Sequence, residues 1–160
     1  MKKAIDMLSK IQIAVGGFFL MIFLITVVIQ MGTRYLGISA TWTDEVSMYA
    51  FIWAVFMGAS AMVYEKRHFA FTSLYDAMKN EKAKNVLSIV IDIIMLVFAV
   101  LMCYYGVLVT KQFWNYTWTS LPQFKRGPVW LAVPICGVTA ALYLIGQIVE
   151  ESGKLGKGGK

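Results

Sequence analysis

The sequence predicts an all-α membrane protein: four transmembrane helices, short amphipathic interfacial connections, and both termini in the cytoplasm. Three observations carry that expectation. Of 160 residues, 59% are hydrophobic and 15% are charged, against about 45–50% and about 25% in a soluble domain. Four apolar runs come close to the roughly 20 residues that cross about 30 Å of hydrocarbon. The fifteen Lys and Arg residues divide unevenly between the two sides those runs define. Strands with open edges leave backbone groups unpaired in lipid, so each span is helical.

The first span covers residues 11–31, after Lys2, Lys3 and Lys10. A basic start before an apolar run also describes a signal peptide. This run exceeds the usual 7–15-residue apolar core, and no small-x-small cleavage site follows it, so it reads as a retained helix. Thr26 and Gln30 place polar groups toward its far end.

The second span covers residues 45–64. Asp44 and Glu45 at its head suit a helix N-terminus, where the dipole favours negative charge. An ion pair from Arg34 to either carboxylate is expected to tie the first two helices together. Ser47, Ala50, Ala54, Gly58 and Ala61 follow spacings of three and four. Helices in lipid associate by close packing, so this stripe reads as a packing seam.

The connection 65–85 carries Phe71, Leu74, Tyr75 and Met78 at helical spacing, with Lys79, Lys82 and Lys84 at its end. It reads as a short amphipathic helix on the cytoplasmic surface. His68, beside Lys66 and Arg67, is placed at lipid headgroups or a partner.

The third span covers residues 86–110 and contains Asp92. A carboxylate at membrane depth is expensive and needs a partner or a function. It shares a helical face with Ala99 and Cys103, so it is expected to point into protein. A helix–helix hydrogen bond, a contact with a partner subunit and an ion site remain open readings. Outside this span, residues 113–127 are expected to form a second short interfacial helix, broken by Pro122 and Pro128 before the fourth span. The fourth span covers residues 129–149, with Ala132, Cys136 and Ala140 in line and Pro134 expected to bend it. Residues 1–152 thus form one four-helix domain, and the Gly- and Lys-rich stretch 153–160 is expected to be a flexible tail.

Orientation follows from the basic residues. Lys2, Lys3, Lys10, Lys66, Arg67, Lys79, Lys82, Lys84, Lys154, Lys157 and Lys160 share one side. Only Arg34, Lys111, Lys125 and Arg126 share the other. Positive charge marks the cytoplasmic side, so both ends are expected there. Trp42, Trp114, Trp118 and Trp130, with Tyr35 and Tyr116, then fall near the outer headgroups, as an aromatic belt or as a docking platform for an outside partner.

The same residues exclude several functions. The basic groups form no continuous stripe, so nucleic acid is not an expected partner. Cys103 and Cys136 have no CxxC or CxxH neighbour and read as small buried groups. One histidine cannot supply the three protein ligands of a catalytic metal site. With no nucleophile set and no phosphate loop, the chain is not expected to be an enzyme or to hold a cofactor. It also lacks the repeats, interrupted helices and midplane polar groups of a self-sufficient transporter. It reads as a scaffold that holds something else.

Arg34-Tyr35, followed by Trp42-Thr43-Asp44-Glu45 at the head of the second span, resembles the small-subunit family of tripartite ATP-independent periplasmic (TRAP) transporters, the DctQ or SiaQ type. The family pattern is an arginine–aromatic pair, a short gap, then Trp-x-Glu-Glu, and Asp44 departs from it at the first glutamate. Gly58-Ala59-Ser60-Ala61, the basic exit ending in His68, and a proline-containing fourth helix after Leu121-Pro122 are similar too. The resemblance spans nearly the whole chain. It implies a large membrane subunit (DctM or SiaM-like) that carries substrate and coupling sodium, and a periplasmic binding protein (DctP or SiaP-like) that delivers an organic acid such as sialic acid or a C4-dicarboxylate. It implies structural or interface roles for Arg34, Trp42, Asp44 and Glu45 in a bacterial inner membrane, among membrane lipids. Two other readings stay in view. One is a structural or assembly subunit of another inner-membrane complex. The other is a small dimeric exporter, which would place a glutamate in the first helix, where residues 11–31 have none.

Overall fold

A computed structural model describes residues 2–65 and 81–157. They form helices α1 (Lys2–Tyr35), α2 (Trp42–Tyr64), α3 (Glu81–Phe113), the single turn α4 (Gly127–Trp130) and α5 (Ala132–Lys157). Four helical stretches, with α4 and α5 taken together, are long and apolar enough to cross a membrane.

The helices run past the apolar cores that mark them in the sequence. α1 has 34 residues and α3 has 33, or about 50 Å each at 1.5 Å per residue. Hydropathy registers only the lipid-immersed part, while helical hydrogen bonding continues into the polar flanks. For the same reason α5 continues to Lys157 through residues expected to be a tail, with no proline after Pro134 to interrupt it. His68 and most of the expected amphipathic helix over 65–85 lie outside the described residues, and residues 81–85 belong to α3.

α1 ends in a left-handed cap. Gly37 has φ +69°, the region that only glycine enters without strain. Its N–H bonds Arg34 O at 3.2 Å, and the N–H of Ile38 bonds Thr33 O at 2.9 Å. This double bond pattern satisfies the last carbonyls of the helix and turns the chain toward α2.

The helices pack in the order α1–α2–α5–α3. α2 and α5 are the more buried inner pair, and α1 and α3 flank them with apolar side chains turned outward. Small residues set the approach distances. A Cβ added at Gly16 would stand 3.4 Å from Ala54 O and Gly58 N, so α1 rests on the α2 backbone there. Between α3 and α5 the approach is closer: a Cβ at Gly137 would come within 2.7 Å of Cys103 N and 2.9 Å of Ala99 O. Phe19 stacks on Trp53 at 5.3 Å and Phe23 packs on Phe51 at 5.1 Å, closing the rest of the α1–α2 seam. The apolar core is Val63, Ala99, Ala140, Tyr143 and Leu144, with Ile5 and Leu8 of α1 against it.

The fourth span is broken at Leu131. Pro134 has no N–H to give the Trp130 carbonyl, and its ring crowds that carbonyl, so the helix resets before it. Gly106 of α3 accepts the displaced ring: a Cβ there would lie 2.9 Å from Pro134 N.

Candidate functional site

Two polar constellations stand out, one at each end of α2. At its N-terminal end the Glu45 carboxylate reaches the α3–α4 connection. Oε1 accepts the Thr119 backbone N–H at 2.8 Å, and Oε2 accepts the Ser120 N–H at 2.7 Å. Arg126 Nη2 stands 3.6 Å from Oε1 and donates to Thr119 Oγ1 at 2.7 Å. Charge-assisted bonds of this kind are roughly twice as strong as neutral ones.

This clasp explains why residues 113–127 are not the interfacial helix expected from their composition. Helical residues would direct the Thr119 and Ser120 N–H groups back along the chain. Glu45 takes both, and the segment closes on itself instead. Thr117 bridges Lys125 antiparallel, Arg126 N–H bonds Tyr116 O at 2.8 Å, and Trp118 N–H bonds Phe124 O at 3.0 Å. Trp118 Nε1 donates to Lys125 O at 3.1 Å, and the indole sits 4.5 Å from the Tyr49 ring of α2.

An ion pair from Arg34 to Asp44 or Glu45 was expected, and the structure gives Glu45 a different partner. Arg34 is exposed and makes no ion pair among the described residues, and Arg126 takes its place. Arg34 occupies the final turn of α1 beside its cap, while Arg126 lies on the loop that Glu45 already holds. Asp44 does tie α1 to α2, through a hydrogen bond from Gln30 Nε2. Trp42 begins α2 and is partly exposed.

The second constellation lies toward the other end of α2, where Gln12 of α1, Ser60 of α2, and Thr139 and Tyr143 of α5 meet. All four are buried, Ser60 completely. Gln12 Nε2 donates to Ser60 Oγ at 3.1 Å and to Thr139 Oγ1 at 2.9 Å. Tyr143 OH donates to Gln12 Oε1 at 2.7 Å. The Ser60 and Thr139 hydroxyls stand 2.6 Å apart, and Thr139 donates to Ile135 O at 2.8 Å. With Ser60 donating to Thr139, every side-chain hydrogen of the four residues has an acceptor. The cluster joins three helices and leaves no donor for a solute. One turn farther on, Gln147 Nε2 of α5 donates to Val63 O at 2.9 Å and Tyr64 O at 3.3 Å, covering the last carbonyls of α2.

Sequence reading missed Gln12, a strong hydrogen-bonding side chain inside the first apolar run; together with Ser60, Thr139 and Gln147 it was the available signal. Asp92 is 5% exposed and points into the protein. Ala50, Ala54 and Ala61 of the small-residue seam are buried. Gly58 meets α1 through its backbone N, opposite Gly16, while its own Cβ position faces open space.

A four-helix bundle whose second helix carries Trp42-Thr43-Asp44-Glu45, with that glutamate closing the α3–α4 loop, is the context in which the family comparison falls. The family model of the DctQ component of tripartite ATP-independent periplasmic transporters matches residues 22–153. The chain belongs to the DctQ family. No curated protein matches it. DctQ proteins are non-enzymatic small membrane subunits of TRAP transporters, so this chain is a multi-pass membrane protein of a TRAP system. The matched stretch includes Glu45, Arg126, Ser60, Thr139 and Tyr143, and Gln12 precedes it.

Proposed function

We propose that this DctQ subunit is a rigid scaffold that associates with the large TRAP membrane subunit during sodium-coupled uptake of an organic acid, sialic acid or a C4-dicarboxylate, delivered by a periplasmic binding protein. In this reading substrate and sodium are held by the large subunit. Both termini face the cytoplasm, with Arg34, the Glu45 clasp and the α3–α4 loop outside. Trp42, Asp44, Glu45, His68 and Asp92 serve architecture or subunit contact, and the seam of Ala50, Ala54, Gly58 and Ala61 holds α2 against its neighbours.

The observation that carries this reading is the closed hydrogen-bond circuit of Gln12, Ser60, Thr139 and Tyr143. A transport site needs polar groups open to solute. Here the buried polar side chains bind one another and fasten three helices, which suits a part that stays still while another moves.

The test is co-expression with a large TRAP membrane subunit. A tagged chain should retrieve that subunit in equal amount, uptake in vesicles should need both, and cysteines placed at Gly37 and Gly153 should label from opposite sides. Solute uptake by this chain alone would sink the scaffold reading.

A further inference from the structure

A groove that neither polar constellation uses lies where Pro134 meets Gly106. It opens between the last turns of α3 and the break before α5, with a volume of about 370 Å³. That size falls at the lower end of ligand pockets, and one side of the groove is open. Val107, Lys111 and Trp114 line it at spacings of four and three, so they share one face of α3. Asn115 continues that wall, and Leu131 and Pro134 form the opposite one.

The lining is divided by depth. Lys111 stands in the last turn of α3, which ends at Phe113, where an apolar span gives way to headgroups. Val107 is one turn deeper, about 6 Å along the axis at 1.5 Å per residue. The deeper lining of Val107, Leu131 and Pro134 is apolar, and the shallower lining carries donors. Those donors are idle: the Lys111 ammonium, the Trp114 indole N–H and the Asn115 side-chain amide make no hydrogen bond or ion pair among the described residues. Trp114 is nonetheless held in place. Its ring rests on Gly127, where a Cβ would come within 2.7 Å of the indole. A side chain positioned in advance loses little entropy when a ligand arrives.

We propose that this groove binds one glycerophospholipid, its phosphodiester on Lys111, Trp114 and Asn115 and the upper part of one acyl chain against Val107, Leu131 and Pro134. A phosphodiester offers acceptors and no donors, so it complements three idle donors, one of them charged. Lipid tails surround the bundle in any case and are as apolar as the groove floor. Seating the chain therefore costs little, and the phosphate contacts decide which molecule stays. A free phosphate would leave the apolar floor uncovered. The inference needs the chain to lie in a membrane, and it depends neither on the scaffold reading nor on which end faces the cytoplasm.

The experiment titrates phosphatidylglycerol into this chain in dodecyl maltoside micelles and counts bound lipid by native mass spectrometry, with and without the large membrane subunit. Diacylglycerol of the same chains lacks the phosphate, and glycerol phosphate lacks the chains. The wild-type chain should retain a single phosphatidylglycerol in both settings, hold diacylglycerol about tenfold more weakly, and not retain glycerol phosphate. Lys111→Ala, a truncation at an exposed position, should weaken the lipid about tenfold, while Lys125→Ala stays within about twofold. Val107→Trp should fill the groove and displace the lipid, whereas Leu108→Trp on the neighbouring face should not. Equal retention of diacylglycerol, or an unchanged affinity in Lys111→Ala, would overturn the phosphate site. Glycerol phosphate bound as well as the lipid would make it a site for free phosphate and overturn the lipid assignment. Lipid held by the chain alone but lost from the complex would overturn it as well, because the large subunit would then fill the groove.

Discussion

Glu45 and Ser120 are 75 residues apart in sequence, yet the carboxylate of one accepts the backbone N–H of the other at 2.7 Å. A side chain at the head of α2 thereby determines the path of a loop between α3 and α4. Ser60, at the other end of the same helix, is fixed by Gln12 and Thr139. The two anchors are about 22 Å apart along the axis at 1.5 Å per residue. α2 is thus held near both ends, and each anchor can be tested separately.

Glu45→Ala should release the loop without unfolding the bundle. Removing the acceptor of two amide bonds and an ion pair costs about 1–3 kcal/mol locally. Hydrogen exchange at Thr119 and Ser120 should accelerate about tenfold or more, with protection in the middle of α5 unchanged. Glu45→Gln should fall between, since it keeps an amide oxygen but loses the charge. Unaltered exchange at both amides in Glu45→Ala would show that the clasp does not hold the loop.

Gln12 and Tyr143 should be energetically coupled. In a double-mutant cycle with Gln12→Ala and Tyr143→Phe, measured by unfolding in mixed micelles, the coupling should be about 0.6 kcal/mol, the average for interhelical hydrogen bonds in membranes, and no more than about 1.7 kcal/mol. Strict additivity would mean the buried circuit contributes nothing beyond packing.

Gly137→Ala should destabilise the α3–α5 contact by about 1–3 kcal/mol, because the new methyl meets backbone that cannot rotate away. The nearest atom, Cys103 N, would lie at 2.7 Å. Gly146→Ala is the control: nothing lies within 4 Å of its Cβ position, and helix propensity alone predicts a gain of up to about 1 kcal/mol. Similar melting temperatures for the two variants would contradict the packing described.

Gln147→Leu should loosen the end of α2. It strips the donor from the Val63 and Tyr64 carbonyls, and buried acceptors left unsatisfied cost about 1–3 kcal/mol. The expected readout is faster proteolysis just after Tyr64 with little change at the outer loop. Equal cleavage in wild type and variant would remove Gln147 from the account.

Much of this was legible in the amino-acid order. Four apolar runs, the carboxylates heading α2, the small-residue seams and Pro134 as a disruption can all be read locally. Each depends on a residue's nearest neighbours along one helix, or on transfer of a single segment into lipid. The family resemblance carried by Trp42-Thr43-Asp44-Glu45 belongs to the same level and agrees with the match over residues 22–153.

The partners of those residues were not legible. Arg34 and Arg126 are both basic and both flank helix ends on the Glu45 side of the bundle, and nothing in the linear order says which one meets Glu45. Gln12 lies in an apolar run that would cross a membrane with or without it, and its meaning appears only once Ser60, Thr139 and Tyr143 surround it. Hydropathy and helical period are properties of one segment in one solvent, so sequence alone determined that this chain forms four helices long and apolar enough to cross a membrane. A hydrogen bond needs two groups within about 3 Å, so which residues lock the bundle and shape its α3–α4 loop was decided only when the helices packed.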